Sequence, residues 1–203
     1  MNKQSTSILC FAVLIFGLLA GCSSEPSKPA PAETPKPKAR ESVTGESGLY
    51  KCYIAARGWA PDAQPYRIES QPSADSNGHD GKSVTWRAGF ASPARRSAKP
   101  YTWSNGEVSP SVEDSYSPGN SSTQVFNIQF LKVDSDKAFE TAQKHGGDKL
   151  LEKEANTPVL YLLDWNRQTN ELIWHVIYGN DRDSAKLRVA VNASTGEFLR
   201  VEK

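Results

Sequence analysis

Apolar and polar positions along the chain follow two different periods, which predict two helices and several strands. A short amphipathic helix is expected over residues 47–57, with Ser47 as its N-cap and Gly58 as its stop signal. A second is expected to begin at Ser135 and to end at the Gly146-Gly147 pair. Strands are expected where apolar residues alternate with polar ones, at 66–71, 84–90, 101–103, 126–130, 158–165, 172–178, 187–193 and 198–201. The pattern predicts an α+β fold in which helices pack on antiparallel sheets.

The predicted order of elements occurs twice. An offset of 88 positions relates a helix cap, a helix stop and inward-facing aromatic residues of the two halves: Ser47 to Ser135, Gly58 to Gly146, Trp86 to Trp174 and Phe90 to Tyr178. We therefore expect two tandem helix-on-sheet units, at 46–123 and 124–203. Each unit is expected to have its own core, one around Trp86 and the other around Trp174.

The first 22 residues have the pattern of an export signal. Lys3 precedes an apolar run at 8–19, which is short for a membrane span and typical of a signal-peptide core. The run ends in Leu-Ala-Gly-Cys at 19–22, which resembles the lipobox of bacterial lipoproteins. The resemblance implies that residues 1–21 are removed and that Cys22 carries lipid, which anchors the protein to a membrane outside the cytoplasm. An ordinary cleaved signal, or an uncleaved anchor, is the alternative.

Residues 22–45 are rich in Pro, Ala, Lys, Ser and Glu and have little apolar area to bury. We expect them to form a disordered tether between the anchor and the folded part. Ser23 and Ser24, in place of an aspartate directly after the cysteine, resemble lipoproteins that are sent to the outer membrane where a cell has two membranes. The expected site is then the periplasmic face of that membrane.

Charge and cysteine content bear on the class of partner and on disulfide formation. The loss of Lys3 with the signal leaves 23 basic residues against 23 acidic ones, since the whole chain has 24 and 23. A neutral chain argues against a nucleic-acid partner. Of the three cysteines, Cys10 leaves with the signal and Cys22 carries the lipid, so Cys52 has no partner for a disulfide. Its apolar neighbours favour burial over a reactive thiol.

The second half resembles the PepSY domain, a module of peptidase propeptides and membrane-associated bacterial proteins. The resemblance lies in the aromatic and aliphatic strand at 172–178 and in the closing strand and turn at 187–197, where Asn192 replaces the usual aspartate. Asn192 keeps a short side chain that can bond the backbone of the turn. The resemblance implies a cystatin-like helix-on-sheet arrangement and a role in binding or restraining peptidases.

The sequence contains none of the common catalytic or cofactor motifs. It has no Gly-x-Ser-x-Gly, no His-Glu-x-x-His, no Cys-x-x-Cys and no phosphate-binding glycine loop. We expect no enzyme activity, cofactor or metal, and Cys22 is the only site residue predicted. The favoured function is a membrane-tethered binding lipoprotein whose protein partner in the envelope is an envelope peptidase. A structural or assembly lipoprotein is the alternative, and an enzyme with a site assembled from distant residues around His175 is a third hypothesis.

Overall fold

The computed structural model of the protein describes residues 40–202, which form three α-helices and eleven strands. The helices are α1 (Gly45–Trp59), α2 (Ser135–Ala142) and α3 (Asp148–Lys153). The strands are β1 (Val43–Thr44), β2 (Gln64–Ser70), β3 (Lys82–Ser83), β4 (Thr85–Ser92), β5 (Ser97–Ser104), β6 (Glu107–Pro110), β7 (Asp114–Ser115), β8 (Val159–Asn166), β9 (Glu171–Tyr178), β10 (Leu187–Asn192) and β11 (Phe198–Glu202). The predicted signal segment, Cys22 and most of the predicted tether lie outside the described residues.

One antiparallel sheet holds most of these strands. Its order is β11-β10-β9-β8-β2-β4-β5-β6, β7 also pairs with β5, and β1 and β3 form a separate two-stranded pair. Each half contributes four neighbouring strands, and the halves meet where β2 pairs with β8, with Arg67 opposite Asp164 and Ile68 opposite Leu163. The predicted α+β class is confirmed. The halves share one sheet because the first strand after each helix pairs with its counterpart.

The helices cover one face of the sheet and enclose a common core. Trp86 and Trp174 are fully buried in it, with their ring centroids 6.4 Å apart and their planes at 64°. The indole N–H of Trp86 donates to the carbonyl of Val43 at 2.9 Å, and that of Trp174 donates to the carbonyl of Val133 at 2.8 Å. The prediction of a separate core for each unit is wrong, because the two tryptophans meet across the β2–β8 junction.

The start of α1 differs from its prediction. The helix begins at Gly45 and not after a cap at Ser47. The N–H of Gly45 donates to Ser135 Oγ and the N–H of Glu46 donates to Asp134 Oδ1, both at 2.8 Å. Free N–H groups in the first turn of a helix require such acceptors. Here they come from the start of α2, some 90 residues later, where a local sequence signal cannot reveal them.

The second predicted helix is interrupted. Its N-cap is Asp134, whose carboxylate accepts the N–H of Ser135, so Ser135 is the first helical residue and not the cap. The helix proper ends at Ala142, and a wider turn carries the chain through Gly146 at φ +112° into α3. Glycine tolerates this left-handed conformation at little steric cost. The Gly-Gly pair therefore breaks the helix, and the helical course resumes two residues after Gly146.

Two further boundaries are corrected. Val43–Thr44 pairs with Lys82–Ser83, so the ordered fold begins before the predicted end of the tether at 45. The expected strand at 126–130 is instead a turn of 3₁₀ helix at Ile128–Phe130, because the side chain of Asn127 accepts the N–H of Gln129 and caps it. Phe126 just before the turn is buried in the main core.

The tight turns follow the local sequence more closely. Asn105 and Gly106 have φ of 53° and 86°, as a tight hairpin turn between β5 and β6 requires. Asn192 Oδ1 accepts the N–H groups of Ser194 and Thr195 at 2.8 and 3.1 Å, so asparagine does fix the turn before β11. Cys52 is fully buried and unpaired, as predicted.

Two glycines of α1 give a matched test of the packing. A Cβ added at Gly48 would lie 2.7 Å from Trp86 Cγ, whereas one added at Gly58 would meet nothing within 4 Å. We expect Gly48→Ala to lower the free energy of unfolding by about 1–3 kcal/mol through overpacking. Gly58→Ala should raise it by about 0.5–1 kcal/mol, since alanine favours a helix. Urea unfolding of both variants measures the difference, and an equal response would contradict the packing described.

Candidate functional site

The outer face of the sheet is the face that points away from the helices. It carries charged side chains of the strands. Alternate residues of a strand point to opposite faces, so the neighbours of the core residues lie outward. One row crosses eight strands, formed by Arg200, Ala190, His175, Leu162, Glu69, Arg87, Thr102 and Ser109. His175 lies in this row because its neighbour Trp174 points into the core.

His175 lies between two carboxylates. Its Nδ1 is 2.8 Å from Glu202 Oε2 and its Nε2 is 3.2 Å from Asp164 Oδ1. The His175 side chain is 6% exposed, that of Glu202 9% and that of Asp164 25%. Arg200 donates to Glu202 at 2.9 Å, and Arg67 Nη2 is 3.8 Å from Asp164 Oδ2. We call these five residues the His175 cluster.

The cluster favours a doubly protonated imidazole. Burial alone would lower the pKa of His175, but its hydrogen bonds to Asp164 and Glu202 and their charges together raise that pKa above its ordinary value. Burial would raise the pKa of Glu202, but the hydrogen bond and charge of His175, with Arg200 and Arg182, lower it to about 2. The pKa of Asp164 is also lowered, against the effect of its burial, chiefly by its hydrogen bond to His175.

These contacts give His175 a structural role. Both of its ring nitrogens face carboxylates, so neither contacts a hydroxyl or thiol that it could activate as a general base. Cys52 lies on the helix side of the sheet, where burial raises the pKa of its thiol to about 12. Within residues 40–202, no group of three or more His, Cys, Asp or Glu side chains is placed to hold a metal ion.

A groove lies on the outer face beside the cluster. The ring of Tyr66 lies across Gly89, where any Cβ would collide with it, and Tyr66 is the extra residue of an irregularity between β2 and β4. The ring separates two adjoining clefts of about 100 and 640 Å³, which share Tyr66, Arg87 and Pro100 in their walls. Glycine inside a strand commonly marks such a close approach.

The smaller cleft is also lined by Arg67, Glu69 and Gly89. The larger one extends beneath the segment that follows β6, with the hydroxyls of Ser111, Ser122 and Thr123 and the carboxylates of Glu113 and Asp114 in its walls. Tyr116 holds this segment on the sheet by packing against Ala91 and Ala98.

Two residues that line the groove each have an enclosed polar atom without a hydrogen-bond partner. These atoms are Nε of Arg67, which lines the smaller cleft, and Oγ1 of Thr123, which lines the larger one. Buried polar atoms in native proteins are nearly always paired, so an unpaired one requires an explanation. The third such atom in the described part of the chain, Trp103 Nε1, belongs to the core.

No local sequence pattern predicts this groove. Gly89 within an otherwise alternating strand was the available signal, but the residue that lies over it, Tyr66, belongs to the neighbouring strand β2, 23 positions earlier. The predicted lipidation residue, Cys22, lies outside the described residues. None of the helices described over residues 40–202 is long and apolar enough to span a bilayer.

Comparison with known proteins adds a likeness of fold. No family model and no curated protein sequence matches the chain. The structure is similar to the crystal structure of a candidate lipoprotein from Clostridium difficile 630, with a TM-score of 0.52 and 12% sequence identity. The match covers 76% of this chain and 91% of that one. At this level of identity the likeness defines a shared fold.

Proposed function

We propose that the protein is a lipid-anchored binding protein of the bacterial cell envelope, tethered through Cys22 and without enzymatic activity. The observation that carries the proposal is the Leu-Ala-Gly-Cys motif at 19–22 behind a short apolar run. The shared fold with the candidate lipoprotein of Clostridium difficile supports it. Acyl chains on Cys22 would hold the protein firmly, since each buried methylene contributes about 0.8 kcal/mol.

The arrangement of the sheet supports binding as the activity. The helices occupy one face only, and the outer face carries a groove with unpaired polar atoms. Both nitrogens of the buried histidine there are held by carboxylates, which favours binding over acid–base chemistry. The resemblance of the second half to PepSY domains favours an envelope peptidase as the partner, and Ser23 and Ser24 favour an outer-membrane location where a second membrane exists.

Fractionation of cells tests the anchor. The native protein should be recovered with membranes and should incorporate an alkyne-labelled fatty acid, whereas Cys22→Ala should lose the label and leave the membrane fraction. Cys52→Ala is the matched control, because Cys52 is buried in the core and its replacement should change neither property. Recovery of unlabelled native protein in the soluble fraction would overturn the proposal.

Crosslinking in intact cells tests the binding role. Photo-crosslinkers at exposed positions beside the groove, such as Val112 at 88% exposure, should capture a discrete envelope protein. A crosslinker at Ile54, which is 74% exposed on the helix side, should not capture the same protein. Capture of a peptidase, with altered proteolysis in a deletion strain, would support the specific partner. A deletion that impairs envelope integrity but leaves proteolysis unchanged would favour an assembly role.

A further inference from the structure

We propose that the groove on the outer face binds a peptide segment through a carboxylate, which Arg67 and Arg87 hold in the smaller cleft. The inference rests on the proposed binding function and specifies its ligand. The smaller cleft would receive the carboxylate, and the larger cleft would receive the adjoining few residues of peptide. Its volume of about 640 Å³ lies within the range of roughly 300–1,000 Å³ that is usual for ligand pockets.

The donors in the smaller cleft fit a carboxylate. Arg67 Nε is buried without a partner, and no ion pair is formed by Arg87 among the described residues. Guanidinium groups bind carboxylates through paired, charge-assisted hydrogen bonds. The Arg67 side chain is 37% exposed although its Nε is enclosed, so a small rotation of the guanidinium group would present Nε to a ligand carboxylate in the cleft.

The charges of the smaller cleft are consistent with this ligand. Glu69 is the only acidic residue in the lining of the smaller cleft, against Arg67 and Arg87, so the cleft is formally positive. Asp164 lies 3.8 Å from Arg67 but is engaged by His175 on its other oxygen. Arg67 therefore keeps donor capacity toward the groove.

The larger cleft has the chemistry of a peptide site. Tyr66, Ala98 and Pro100 form an apolar floor on which a short side chain can rest. Thr123 lines this cleft, and its Oγ1 is an enclosed hydroxyl without a partner, which a rotation about χ1 would present to a peptide carbonyl or N–H. The carboxamide oxygen of Asn120 is occupied by Ser122, which leaves the NH₂ group of Asn120 as a further donor at the rim.

Isothermal titration calorimetry with three pentapeptides tests the proposal on the mature, lipidated protein in detergent micelles. All share an acetylated Ser-Ala-Ser-Ala start. The first ends in Glu amide and carries a side-chain carboxylate, the second ends in Ala with a free α-carboxylate, and the third ends in Gln amide and carries none. We expect one of the acidic peptides to bind about 10- to 100-fold more tightly than the Gln amide, which corresponds to a hydrogen bond to a charged group. The better acidic peptide identifies the source of the carboxylate.

Variants locate the binding. Arg67→Gln should abolish most of the difference between the acidic and neutral peptides, whereas Arg167→Gln, an exposed arginine in the β8–β9 turn, should leave it unchanged. Thr123→Val should weaken every peptide and yet raise the thermal midpoint, because it removes an unsatisfied buried hydroxyl without changing side-chain shape. Stability and affinity then move in opposite directions, which a loss of folding cannot produce.

Three results would overturn the proposal: no heat of binding for any peptide at millimolar concentration, equal affinity for acidic and neutral peptides, or full acidic preference in Arg67→Gln. Its failure is distinguishable from failure of the proposed function. Membrane recovery and fatty-acid labelling report on the anchor alone, and a labelled, membrane-bound protein that binds no peptide would contradict only the assignment of the ligand.

Discussion

Replacement of Trp174 by alanine is expected to lower the free energy of unfolding by about 3–5 kcal/mol, the usual loss for truncating a buried large aromatic side chain. Trp174 has no exposed surface, its indole N–H is bonded to the carbonyl of Val133, and its ring meets Trp86 in the shared core. The variant leaves a cavity and an unpaired carbonyl together. Urea unfolding followed by circular dichroism measures the loss.

The manner of unfolding is as informative as its midpoint. Because Trp86 and Trp174 share one core, both Trp86→Ala and Trp174→Ala should shift a single cooperative transition. Two transitions, with only one displaced in each variant, would show that the halves unfold separately. Trp165→Ala is the matched control and should cost less, since Trp165 is only half-buried and packs on Phe130 near the surface.

The fold was predictable from the sequence wherever a local signal decides the structure. Alternation in 84–90 and 172–178 located β4 and β9 and set the inward direction of Trp86 and Trp174, because the side-chain period of a strand is two. Asn105-Gly106 forms a tight hairpin turn for an equally local reason, because both positions have the positive φ that this dipeptide tolerates. These features depend on residues within a few positions of one another.

The features that were missed depend on contacts between distant segments. The residues at 64–70 carry no local signal that this strand pairs with 159–166. The β2–β8 junction, which joins the two expected sheets into one, was therefore not predictable from local pattern. The N-terminal N–H groups of α1 are satisfied by Asp134 and Ser135 for the same reason. A local rule selected Ser47 as the cap, whereas the tertiary structure supplied the acceptors.

The outer face shows the same division between local and distant information. The position of His175 on the face opposite Trp174 followed from its place in the strand. Its carboxylate partners come from β8 and β11, 11 and 27 positions away. The groove likewise combines Arg67 and Arg87 from β2 and β4 with Thr123 from the segment after β7. A site of this kind becomes visible only once strand order is known.

Substitution of His175 is expected to have the second large effect, and one that depends on pH. At pH 5.5, His175→Gln should lower the free energy of unfolding by about 3 kcal/mol, near the lower end of the range for breaking a buried charge pair, because Asp164 is 25% exposed. The variant leaves two carboxylates close together with only the arginines to neutralise them. Urea titrations from pH 4 to pH 9 give the full dependence.

The direction of that dependence follows from the pKa shifts. The raised pKa of His175 means that its stabilisation is complete below about pH 6.5, its ordinary value, and is lost as the pH rises through the value in the folded protein. The lowered pKa values of Asp164 and Glu202 mean that their contribution is complete above their ordinary values near 4 and is lost on acidification, for Glu202 toward pH 2. The native protein should therefore be most stable between about pH 4.5 and 6.5 and should weaken above that range.

A second histidine, His79, provides a control that distinguishes the effect of the His175 cluster from the pH dependence of the protein as a whole. His175→Gln should lose the decline of stability above pH 6.5, because the group that releases its proton is gone. His79→Gln should retain the decline, since His79 Nε2 contacts a backbone carbonyl, that of Thr157 at 2.7 Å, and no carboxylate. An unchanged alkaline decline in His175→Gln would mean that the imidazole is not held as a cation between Asp164 and Glu202. Loss of the decline would establish the His175 cluster as an electrostatic clamp that ties β11 across β9 to β8.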